Sequence, residues 1–333
     1  MFSVTSVVNC IIWINKKRDL SIEGEGVSRT FKTGLALGGG AARGLAHIGV
    51  LKVLESEGIH IDLITGSSMG AIMGAMYALE PHADSLINRI REYLNSEVFK
   101  KAKFDFISRS EKASSEGEGI FYKFSNFIKK RIFYGMAMTR LSFISEESFE
   151  KNIGYLLDEA DMSDTKIKLG ITALDINTCE ELLITEGSIK TAVMASAAIP
   201  GILPPIKIEN RMCIDGGWTR EVPVEDAYDM GADYVIGIDV GSELESSKTY
   251  INSLDIVFRA DAITRSVLKS KRLKGADFII RPEVESINWA EFKRIDDCIQ
   301  EGEKAARKGM NELKRDLRSK KWRHRIKRIL FAS

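Results

Sequence analysis

The chain has 333 residues, 44% of them hydrophobic and 29% charged, with a formal net charge of +1. That length fits one elaborated α/β domain, and the composition describes a globular protein rather than a disordered or membrane-spanning one. The near-neutral total argues against a nucleic-acid binder, although basic residues crowd the C-terminal stretch and leave the remainder acidic.

At the N-terminus, Val7 to Ile14 is apolar but is interrupted by Asn9 and is too short for a bilayer span, which needs about 20 residues. Lys16, Lys17 and Arg18 follow this run, whereas a signal peptide carries its basic residues in front. Residues 1–32 therefore read as an N-terminal extension, either an extra strand or loose chain, or else a membrane-touching anchor.

From Thr33 the pattern becomes regular. Gly34 to Leu37 reads as a short buried strand, Gly38 to Gly40 as a turn, and Arg43 to Glu57 as a helix with Leu45, Ile48, Leu51 and Leu54 on one stripe. A second strand, Ile61 to Thr65, leads through Gly66 into a helix from Met69 to Leu79 that stops before Pro81. Strand, turn and helix in alternation predict an α/β fold with a mainly parallel sheet covered by helices. Residues 81–157 carry helical patterning without a strand and form a lid-like insertion. Within it, Ile120, Phe121, Phe124, Phe127, Ile128 and Ile132 share one helical face, which packs on the domain's own core or serves as a lid. Further strands are expected at Lys168 to Leu174, Glu181 to Thr185, Arg211 to Ile214, Tyr234 to Val240 and Asp277 to Arg281, with helices over Ile251 to Lys271 and Glu291 to Arg318. Residues 33–285 thus form the main domain, and 286–333 a helix with a basic tail. In that tail Trp322, Ile326, Ile329 and Leu330 share a face among Lys320, Lys321, Arg323, Arg325, Lys327 and Arg328, which is either a solvated helix end or a peripheral contact for an anionic membrane surface.

Gly66-x-Ser68-x-Gly70 lies where a strand turns into a helix, the context in which a serine projects from the sheet edge at a helix N-terminus as a nucleophile. Such a serine needs a base, and the only histidines are His47, His60, His82 and His324. None is placed downstream beside a plausible acid except His324, deep in the basic tail. Asp215 fills the gap, since the strand before it delivers an aspartate to a tight turn at Gly216 and Gly217 and a carboxylate can take a hydroxyl proton directly. Gly38 to Gly44 offers an oxyanion hole at a helix start, with the Gly39 and Gly40 amides as donors, and Arg43 either holds that loop or attracts a phosphate. The scattered Cys10, Cys179, Cys213 and Cys298 suggest neither zinc nor disulfides and suit a reducing, cytoplasmic setting. No metal and no cofactor is expected. The glycine loop also looks like a dinucleotide loop, but its companions are missing: no Gly-Lys-Ser/Thr, no acidic end to the second strand, no Tyr-x-x-x-Lys pair.

Taken in order, the loop Gly38 to Gly44, the serine motif Gly66 to Gly70, the block Ala195-Ser196-Ala197-Ala198-Ile199-Pro200-Gly201 with Pro204-Pro205, and Asp215-Gly216-Gly217 resemble the patatin-like phospholipase family. The resemblance implies a three-layer α/β/α fold and a Ser68–Asp215 dyad acting on lipid or phospholipid acyl esters without a metal. One departure stands out. Arg220 and Glu221 precede Val222-Pro223-Val224 where the family often has asparagines, which leaves the hydrogen bonding around the base open.

Overall fold

The structure is a computed structural model that describes residues 30–101, 141–241, 244, 250 and 253–331. The apolar run at 7–14 and the amphipathic segment at 114–135 lie outside the described residues. Two compact units are distinguished, Lys32–Lys314 and a second that comprises, among the described residues, Thr30, Phe31 and the chain from Arg315 on.

The larger unit is built on one eight-stranded sheet. Its strands are β1 (Thr33–Leu37), β2 (Leu63–Gly66), β3 (Lys168–Asp175), β4 (Glu180–Ile184), β5 (Ile206–Ile208), β6 (Arg211–Asp215), β7 (Tyr234–Ile238) and β8 (Phe278–Ile280). Neighbours run β5-β6-β3-β2-β1-β7-β8, with β4 added on β3. The β3-β2-β1-β7-β8 stretch is parallel throughout, whereas β4 and β6 lie antiparallel to β3 and β5 antiparallel to β6. Every residue of β1, β2 and β7 is buried, as central parallel strands require.

Helices cover both faces. They are α1 (Ala46–Ser56), α2 (Met69–Leu79), α3 (Ala83–Asn95), α4 (Glu97–Lys101), α5 (Glu146–Leu156), α6 (Ile189–Ser196), α7 (Val224–Asp229), α8 (Ser253–Leu273) and α9 (Ile295–Phe331). On one face Ala36, Leu63 and Val235 pack with Val224 and Ala227 of α7 and Leu273 of α8. On the other, α2 lies over Leu37 and Ile64, where a Cβ on Gly74 would sit 3.3 and 3.0 Å from those side chains. The result is the three-layer α/β/α arrangement that the sequence predicts.

Several elements differ from the sequence expectation. The helix expected from Arg43 begins as a 3-10 turn, Ala41–Leu45, because the Arg43 amide closes back on the Gly40 carbonyl (3.1 Å), and only then becomes α1. β5, with three residues, and α6, with eight, are too short to show a period. The last helix, expected to end at Arg318, continues to Phe331, about 55 Å in all at 1.5 Å per residue. In the smaller unit the Phe31 ring meets His324 edge-on at 5.5 Å between centroids, with the Lys321 ammonium 5.8 Å from the same ring.

Candidate active site

The meeting of two strand ends on one edge of β3 positions the site. β2 climbs that edge in parallel and stops with Gly66 opposite Ile171. β6 descends it antiparallel and stops with Asp215 opposite Ala173, while β4 occupies the other edge. Only Thr172 separates the two ends, and its hydroxyl donates to the Gly66 carbonyl (3.3 Å). The residues just beyond, Ser68 and Asp215, are therefore brought together across 147 positions of sequence, and the Ser68 Oγ–H donates to Asp215 Oδ2 at 2.7 Å.

Ser68 holds a positive φ (φ 53°, ψ −121°), rare for a residue with a side chain, at the N-terminus of α2. For a residue with a side chain such a conformation costs about 1–3 kcal/mol and persists only where the surroundings impose it. Here they do. The Ser67 amide donates to the Leu37 carbonyl at the end of β1 (3.1 Å), and the Ser68 amide donates to Ser196 Oγ (2.9 Å). The motif glycines permit this packing: a Cβ on Gly66 would lie 2.6 Å from the Ala71 Cα, and one on Gly70 would overlap the Leu37 carbonyl. A Cβ on Gly44 would overlap Met69, and one on Gly216 would press on the Thr172 carbonyl at 2.5 Å.

Asp215 is 4% exposed. Burial pushes its carboxyl up to about 6, against the downward pull of the hydrogen bonds from Ser68 and from the Gly217 amide to Oδ1 (2.7 Å); Glu221 raises it and Arg265 lowers it. A carboxylate of that affinity, ionised near neutral pH and bonded to a hydroxyl, can take the hydroxyl proton as the oxygen attacks an electrophile. Arg265 stacks on Trp218, 4.5 Å from the ring, just past the Gly216-Gly217 turn.

The glycine loop lies against Ser68, with a Cβ on Gly39 falling 3.2 Å from the Ser68 Cβ. The Gly38 amide donates to Ile238 (3.0 Å) and the Gly39 amide to Glu221 (2.9 Å). Of the two expected oxyanion donors, Gly39 is therefore committed in this conformation, while no described backbone acceptor takes the Gly40 amide. Next to it Ala41 also holds a positive φ, 49°. Arg43 is half-buried and lies near enough to Cys298 for its charge to act on that thiol.

No histidine joins the Ser68–Asp215 hydrogen-bonded pair. His47 is fully buried and burial lowers it to about 4, so it is neutral; its Nε2–H donates to the Gly38 carbonyl (2.8 Å) and steadies the loop. His60 faces Asp62 at the surface (3.3 Å), His82 precedes α3, and His324 lies against Phe31. Among the described residues no group of three His, Cys, Asp or Glu side chains is arranged to hold a metal.

Sequence reasoning missed the supporting residues. Ser196 appeared only as part of a small-residue block, and Ala198 in the same block accepts the Asp215 amide (3.0 Å). The departures at 220 and 221 also find their roles. Arg220, half-buried, joins a network with Glu181 (3.0 Å), Asp226 and, through Glu181, Arg272 (2.8 Å). Glu221 pairs with Lys269 (3.1 Å), which also meets Asp239 (3.3 Å).

A family model described as Patatin-like phospholipase matches residues 35–228, more than half of the chain. Lysophospholipase nte1 of Aspergillus fumigatus is 23% identical over 317 residues, covering 84% of this chain and 18% of that protein. Patatin-like phospholipase domain-containing protein 6 of Homo sapiens is 30% identical over 223 residues, covering 66% of this chain and 14% of that protein. The chain thus spans less than a fifth of the length of these curated relatives. VipD from Legionella pneumophila superposes with a TM-score of 0.43 at 12% identity, covering 85% of this chain and 67% of that one.

Proposed function

Because the chain belongs to the patatin-like phospholipase family, we propose that it is a serine acyl hydrolase cleaving fatty-acyl esters of phospholipids or lysophospholipids, with Ser68 as nucleophile and Asp215 as base. The observation that carries the reading is the 2.7 Å hydrogen bond from a strained, buried serine to a carboxylate whose proton affinity is raised toward neutrality.

Asp215 accepts the Ser68 proton as Oγ bonds to the ester carbon, and the carbonyl oxygen, now an oxyanion, is held by the Gly40 amide at the start of the glycine loop. Collapse expels the alcohol, which takes the proton from Asp215 and leaves an acyl-serine. Water then gives a proton to Asp215 while its oxygen attacks the acyl carbon, and the proton returns to Ser68 as the fatty acid departs. Gly39 contributes by having no side chain over Ser68 and by tying the loop to Glu221, and Arg43 lies near Cys298 at the loop and either holds it or attracts a phosphate.

The same reading places the protein in the cytoplasm at a membrane surface. The unbridged thiols of Cys213 and Cys298 suit a reducing compartment. No helix among the described residues is long and apolar enough to cross a membrane. At the end of α9 Trp322 and Ile329 are 64% and 62% exposed among lysines and arginines, as a helix lying on anionic lipid requires. The deciding experiment compares wild type with Ser68→Ala on a nitrophenyl ester and on a mixed lipid extract read by mass spectrometry. Turnover and fatty-acid release are expected to fall at least about a thousandfold. Full esterase activity in the variant would remove Ser68 as the nucleophile.

A further inference from the structure

We propose that the cavity between α8 and the carboxyl ends of β7 and β8 is a phosphate-binding subsite. Its volume is about 430 Å³, within the range of small-ligand sites. Ser266, Ser270 and Lys274 line it at positions i, i+4 and i+8 of α8 and its first following turn, so they form one ridge offering two hydroxyls and an ammonium. Arg281, directly after β8, lines it too; only its Nε is used in pairing with Asp239 (3.1 Å), which leaves the terminal nitrogens of the guanidinium for a ligand.

The charge balance favours an anion of low charge. Lys269, Lys274 and Arg281 stand against Asp239 and Glu221, so three positive charges meet two negative ones and one positive charge is left over. A phosphodiester carries one negative charge. The cavity also lies on the same sheet edge as Ser68, outside the carboxyl ends of parallel strands where α/β folds place their ligands. Gly241 in its lining follows Val240, against which Gly40 packs so closely that a Cβ there would lie 2.8 Å away. One loop therefore separates the cavity from the nucleophile. The phosphate comes either from the headgroup of the lipid whose ester reaches Ser68, in which case the inference rests on the hydrolase reading, or from free phosphate.

The test uses the full-length protein, wild type and the Ser270→Ala/Lys274→Ala double variant, both exposed positions, with Arg281→Gln as a second variant and melting curves as a folding control. Hydrolysis of palmitoyl-lysophosphatidylcholine is compared with that of monopalmitoylglycerol, which has the same acyl chain and no phosphate, and inorganic phosphate binding is measured by calorimetry. A headgroup subsite predicts that the variants lose about tenfold in kcat/KM on the lysophospholipid, mainly through KM, and keep their rate on the monoglyceride, with inorganic phosphate competing only against the former. Phosphate binding that weakens in the variants while the substrate ratio stays constant keeps the site and assigns it to free phosphate. An unchanged ratio together with unchanged phosphate binding overturns the proposal. Failure of the hydrolase reading shows separately, as turnover that survives Ser68→Ala.

Discussion

On the proposed mechanism Asp215 must be ionised to take a proton, and its surroundings set the pH at which it is. With its carboxyl raised to about 6, kcat/KM on a soluble ester is expected to fall as pH drops below 6, approaching tenfold per unit, and to level off above 7. Glu221 contributes to that rise, so Glu221→Gln, whose main-chain carbonyl still holds Gly39, is expected to move the limb to lower pH by less than about one unit. The stability effect has the opposite sense to the catalytic one. A carboxyl that binds its proton more tightly folded than unfolded makes a contribution that is most favourable below pH 4 and is lost as pH rises from about 4 to 6. At pH 7 the buried charge therefore opposes folding, and Asp215→Asn is expected to abolish hydrolysis while raising stability by about 1–3 kcal/mol, measured by urea denaturation. A loss of stability in that variant would mean that the ionised carboxylate is better solvated by its hydrogen bonds than its burial implies.

Among the elements, α1 and α9 cross backbone to backbone, and two glycines allow it. A Cβ on Gly49 would overlap the Ile299 carbonyl, and one on Gly302 would overlap the Ala46 carbonyl, so each helix puts its backbone directly on the other. Gly49→Val is expected to cost about 1–3 kcal/mol or more, since rigid backbone cannot yield to the added atoms. Gly58→Ala serves as a contrast: it has open space but a φ of +65°, and its cost is limited to about 1–2 kcal/mol of backbone strain. Equal stability of Gly49→Val and wild type would show that α9 can shift along α1. These crossings follow a pattern that the chain itself displays only in part. The stripe of Leu45, Ile48, Leu51 and Leu54 announces a helix, and the short, mostly apolar runs at β1 and β7 announce central strands, because both are local patterns. Nothing in three residues at β5, or in the glycines of two distant helices, tells which backbones will touch.

For the whole molecule, the proposed hydrolase function requires a way to reach substrate held in a lipid surface. A variant ending at Ser319 lacks Trp322, Ile329 and the basic residues around them. It is expected to lose binding to anionic vesicles in a sedimentation assay while keeping its rate on a soluble nitrophenyl ester, and added salt should reproduce the loss in wild type. Undiminished vesicle binding by the truncated chain would end the membrane role of the tail.

The sequence by itself determined the layered α/β architecture and the strand-to-helix turn that carries Ser68, since each depends on residue types in local order, and the want of a suitably placed histidine pointed to Asp215 as the candidate base. Tertiary structure alone decided that β2 and β6 end on the same edge of β3, which sets the 2.7 Å contact across 147 positions. It also decided that Gly39 spends its amide on Glu221, that Ser196 holds the amide of Ser68, and that Arg220 and Glu221 enter separate ion-pair networks. The reason is physical: a hydrogen bond or an ion pair depends on where distant backbone segments stop, and strand pairing sets that only once the sheet is assembled.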